Sequence, residues 1–110
     1  MTMPDALHVI VVGRSPEKME VATAVLESHG FAATGVFSED EARRAIAEQE
    51  LVFAVVAGGS IDEAGQARLR AAAAAKEAVV ITASIGHDDP GVHFTEHVVP
   101  KLIEARDRIR

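Results

Sequence analysis

His87, Asp88, Asp89, His93, Glu96 and His97 fall within eleven residues of one another. Imidazole and carboxylate are the ligands that Zn²⁺ and Ni²⁺ take, and two His four apart share one face of a helix. With residues 93–97 helical, His93 and His97 form such a pair, and His87 and Asp89 complete a candidate metal-ligand set. Phe94 follows His93, so the general-base Glu of the zinc-protease helix motif is missing. The plainer reading is a solvated loop running into a helix. His8 and His29 read as a strand-start residue and a helix-end cation.

A second constellation is spread along the chain. Gly13-Arg14-Ser15, Gly58-Gly59-Ser60 and Thr82-Ala83-Ser84 each follow an apolar run. Glycine turns and helix starts gather backbone N–H groups, which favour anions. Arg14 adds a cation. Gly13, Arg14, Ser15, Gly58, Gly59, Ser60, Thr82 and Ser84 are therefore the candidate anion- or nucleotide-binding residues. Caps and turns account for the same residues equally well. No nucleophile elbow is present, because Gly58-Gly59-Ser60-Ile61 lacks the trailing glycine. The chain has no cysteine, which removes disulfides, thiol catalysis and thiolate-bound zinc.

The elements that must position these residues repeat a unit of strand, Ser and helix. Leu7–Val12 is an apolar, β-branched run, as in a parallel strand covered on both faces. Ser15-Pro16-Glu17 then gives cap, first helical residue and first-turn acid. Met19, Ala22 and Leu26 with Val21 and Val25 form the expected buried face, and Gly30 the left-handed stop. Residues 31–37 read as a weaker edge strand, ending at Phe37-Ser38. Ser38 and Glu41 have capping-box spacing before a helix that buries Ala42, Ala45 and Ile46. Residues 51–57 read as the central strand. Ser60 and Glu63 are a second capping box, before a helix running through Ala71–Ala75 to about Lys76. Ala78–Thr82 is the fourth strand. Residues 92–98 fit a strand or a helix, with helix preferred, and the last helix turns Leu102, Ala105 and Ile109 inward.

Strands alternating with helices imply one α/β domain over 1–110. It should be a three-layer, doubly wound parallel sheet of order 2-1-3-4, flavodoxin- or Rossmann-like, with the fifth strand undecided. Ligands of such sheets bind beyond the carboxyl ends of the strands.

The layout resembles a receiver domain of two-component signalling. The resemblance rests on the HVIVVG first strand, the helix ending in His29-Gly30, the FAVVAGG third strand and the Thr82-Ala83 pair, and it covers about residues 7–84. Receivers hold Mg²⁺ with an acidic pair after strand one, where this chain has Gly13-Arg14. They phosphorylate an Asp at the end of strand three, where this chain has Ala57-Gly58. Their Lys precedes a Pro after strand five, whereas here the order is Pro100-Lys101. The resemblance therefore implies a phosphorylation-incompetent receiver. VVGRSPEK, VVAGG and VVITASIG also resemble a truncated short-chain dehydrogenase half. The cofactor glycine spacing is absent, and so is any Tyr for catalysis.

The expectation is a non-catalytic regulatory or protein-interaction module with no cofactor. The alternatives are a small nucleotide- or anion-binding protein and a His-rich metal-binding module. A net charge of −6 opposes nucleic acid as a partner. No apolar run nears the about 18 residues that span a bilayer. The start lacks a basic signal region, and the Arg-over-Lys bias fits bacteria with GC-rich genomes; a bacterial cytoplasmic protein is expected. Homodimerisation is expected through Phe94, Val98 and Val99, with the alanine run as a competing surface.

Overall fold

A computed structural model of the chain describes residues 7–49, 52–58, 61–83 and 94–108. β1 (His8–Val12), β2 (Ala32–Val36), β3 (Ala54–Gly58) and β4 (Val79–Ala83) form one parallel sheet of order β2-β1-β3-β4. β1 pairs Val9 with Ala33 on one side and with Ala54 on the other. β3 carries the ladder on to β4, with Val55 opposite Val80. α1 (Pro16–Ser28), α2 (Glu39–Glu48), α3 (Glu63–Ala75) and α4 (Val99–Arg108) are the helices.

A βαβ crossover keeps one hand, so a chain that reverses direction along the sheet must change faces. The step from β1 out to β2 lays α1 on one face. The return to β3, and on to β4, lays α2 and α3 on the other. Side chains follow this division. Val9, Val11, Ala54 and Val56 pack with Met19, Ala22 and Leu26 of α1 and Leu102 and Ala105 of α4. Ile10, Val12, Val55 and Ala57 pack with Ala42 and Ile46 of α2 and Leu69 and Ala73 of α3. Neighbours along a strand face opposite ways, so a covered inner strand must be apolar throughout. Residues 9–12 and 54–57 are buried without a gap. Each such large side chain stabilises by roughly 1.5–3 kcal/mol. The three-layer, flavodoxin/Rossmann-like architecture is thus the one the alternation implies.

The helices start and stop for identifiable reasons. Ser15 and Ser38 cap α1 and α2, accepting from the N–H groups of Lys18 (3.3 Å) and Glu41 (3.1 Å). α1 ends with Gly30 at φ 87°, Gly30 N–H donating to Glu27 O and Phe31 N–H to Leu26 O. That is the left-handed stop that the His-Gly pair implies. Pro100 has no N–H to give the preceding turn, and its ring excludes the carbonyl four residues back. A wider π-helical turn over Phe94–Val98 leads into α4 and accommodates it. The described part of residues 92–98 is therefore helical.

Several expectations are corrected. α3 is capped by Asp62, whose Oδ1 accepts Gly65 N–H at 2.7 Å, and not by a box between Ser60 and Glu63. Val21 is 39% exposed, because it lies two residues, over half a turn, from buried Met19. The β3 ladder begins at Ala54; Val52 and Phe53 before it are nevertheless buried. Val98 and Val99 are not surplus apolar surface for a dimer: they are 1% and 3% exposed and belong to the core beneath α4. Ile109 lies outside the described residues.

Candidate site at the carboxyl edge of the sheet

All four strands run the same way, so their carboxyl ends, and the starts of α1, α2 and α3, gather along one edge. Close packing sets the backbone there. Gly13 N–H donates to Val36 O at 3.1 Å, tying the β1–α1 loop to the end of β2. A Cβ on Gly58 would stand 3.0 Å from Val12 O, so the glycine lets β3 pass the end of β1. Met19 fills the space over Gly35: a Cβ there would come within 2.6 Å of Met19 Cγ.

Of the anion-site residues, Gly13, Arg14, Ser15, Gly58 and Thr82 are described, and all lie at this edge. Gly59, Ser60 and Ser84 lie outside the described residues. Ser15 is occupied as the α1 cap. The Thr82 hydroxyl donates to Gln66 Oε1 at 3.2 Å, and Gln66 Nε2 donates to Ile61 O at 3.1 Å. Thr82 is thus held by α3. Arg14 is exposed and joins no ion pair or hydrogen bond with another described residue. Of the metal-set residues, His87, Asp89 and His93 lie outside the described residues, and His97 is exposed on the π-helical turn. Among the described residues no group of three His, Asp or Glu is placed to hold a metal ion.

Acids stand at this edge, but on helix first turns and not at strand ends. Glu39 at the start of α2 takes a bidentate bond from Arg68 of α3, Nε to Oε2 at 2.5 Å and Nη2 to Oε1 at 2.7 Å. Arg43 adds its Nε at 3.2 Å and also holds Asp40 at 2.6 Å. The Arg68 hydrogen bond, above all, holds the Glu39 carboxyl below its ordinary range, against a smaller desolvation effect. The same bond raises Arg68. Glu41 Oε1 accepts from Phe37 N–H and the Ser38 hydroxyl, and Asp62 is the α3 cap. A hard dication needs free carboxylate oxygens converging on one point. At the places where a receiver holds Mg²⁺ and accepts phosphate, this chain puts Gly13-Arg14 and Ala57-Gly58, which do not fit either task.

Two features escape a reading of the sequence. One is the Glu39–Arg68 pair, whose partners are 29 residues apart. The other is Phe37, expected only as a strand end, which is 43% exposed just past β2. No protein-family model, curated protein or solved structure matches the chain.

Proposed function

We propose that the chain is a non-catalytic regulatory or protein-interaction module, resembling a receiver that has lost phosphorylation and working in a bacterial cytoplasm. One observation carries this reading. The edge where a doubly wound sheet does its chemistry has no carboxylate at any described strand end; Glu39, Asp40, Glu41 and Asp62 are committed to ion pairs and caps, and Glu17 and Glu63 stand apart, on the first turns of α1 and α3. Incubation with acetyl phosphate and Mg²⁺, followed by intact-mass spectrometry, tests it. The mass should stay unchanged; a labile phosphoryl adduct overturns the reading.

A second reading, a small nucleotide- or anion-binding protein, is favoured by Arg14, a cation at the start of α1 with no ion-pair partner among the described residues. A thermal-shift screen of nucleotides and phosphates separates the two. A ligand at 100 times its Kd stabilises by about 2.7 kcal/mol, and Arg14→Ala should remove that shift. Self-association remains part of the proposal. With Val98 and Val99 in the core, it must use other surface, such as the exposed Ala71 and Ala74 of α3. Light scattering of Ala74→Glu beside the parent chain checks this: the variant should shift a dimer to monomer.

A further inference from the structure

We infer that the partner docks at the carboxyl edge on Phe37 and Arg14, and that it is a protein segment offering an apolar side chain beside a single carboxylate. This rests on the protein-interaction reading above. The two residues stand on neighbouring loops. Val12 pairs with Val36 in the ladder, and Gly13 N–H donates to Val36 O, so Arg14 and Phe37 each lie just beyond that joint. Both loops are held by hydrogen bonds, one by the Ser15 cap and the other by the Ser38 cap and the Glu41 bond to Phe37 N–H.

Neither side chain is buried. Among the described residues three large apolar side chains are exposed, Val21, Val79 and Phe37, and Phe37 is the largest of the three. Arg14 sits two residues before α1, at the positive pole of that helix, where a cation is disfavoured. The edge arginines of α2 and α3, Arg43 and Arg68, are neutralised by acids, whereas Arg14 has no such partner among the described residues. Aromatic and Arg side chains on rigid supports are the types that anchor protein interfaces. The partner's charge follows from the same map. Arg14 calls for a carboxylate, while Glu17 and Glu63 on the adjacent first turns repel a strongly acidic segment.

The test places a photo-crosslinking benzoyl-phenylalanine at position 37 of the full chain in its own cells, with Val21 and Val79 as control positions. A crosslink at 37 alone, at least tenfold weaker with Arg14→Glu, supports the proposal. So does a captured peptide with an Asp or Glu beside an apolar residue. Arg14→Glu should fold normally, since Arg14 contacts no described side chain through a polar bond, and an unchanged melting curve checks this. A crosslink at 37 that ignores Arg14→Glu overturns the partner's chemistry. Crosslinks at 21 or 79 but not at 37 overturn this surface and leave the interaction reading standing. Silence at all three positions overturns both.

Discussion

Glu77 adopts φ 58°, the left-handed region, although it is not glycine. It follows the Lys76 cap of α3, and the bonds Glu77 N–H to Ala74 O and Ala78 N–H to Ala73 O close the same stop that Gly30 makes for α1. An L side chain there costs roughly 1–2 kcal/mol. Glu77→Gly should therefore stabilise the domain, by about 1 kcal/mol once the entropy of the glycine is subtracted. Urea unfolding reads it as a higher midpoint at unchanged slope. The His29-Gly30 stop is legible in the sequence because glycine announces it; Lys76-Glu77 gives no such sign. Gly35 is the opposite case, a glycine in a strand whose reason lies 16 residues away in Met19. Gly35→Ala overpacks that contact and should cost about 1–3 kcal/mol. In a Met19→Ala background the same change should cost little, and a double-mutant cycle on unfolding free energies measures the coupling.

At the scale of elements, α2 is tied at both of its ends to α3 and its cap. Arg68 holds Glu39 at the start of α2, and Lys76 Nζ donates to Gln49 O at 2.8 Å just past its end. Gly65 leaves room for the first tie, since a Cβ there would stand 2.9 Å from Glu39 Oε1. Because the folded state lowers the Glu39 pKa below its ordinary 4.5, the tie contributes fully above that value and is lost as the pH falls through the lowered one. The stability gap between the parent chain and Glu39→Gln should thus be present at neutral pH and close under acid, below pH 4.5. A gap that persists unchanged at pH 2 would show that the charge is irrelevant. Helix positions, the Ser15 and Ser38 caps and the inward residues of α2 were legible, because period and cap chemistry are local. The α3 cap is not legible, because Ser60 and Asp62 are both good cap types and the spacing alone does not choose between them. The Glu39–Arg68 tie needs the two helices side by side, which no local pattern encodes.

For the whole molecule, strand order was legible because the handedness of crossovers and two fully apolar inner strands leave little choice. The edge that gathers the strand ends was legible too, and with it the position of Arg14 between β1 and α1. The exposure of Phe37 was not, because alternation fails where a strand ends and a loop begins. The strand order carries one more consequence. Residues 8–36 and 54–83 are each a contiguous βαβ unit, and in the sheet they are joined along a single seam, Val9–Val12 against Ala54–Ala57. A ribosome delivers the first unit before the second exists, so β1 emerges with one ladder edge naked and apolar. Such an edge invites pairing with other chains. Residues 1–49 produced alone should sediment as oligomers or aggregate. Supplied together with residues 50–110, they should regain a defined complex by fragment complementation, and Val11→Lys at the seam should abolish that recovery.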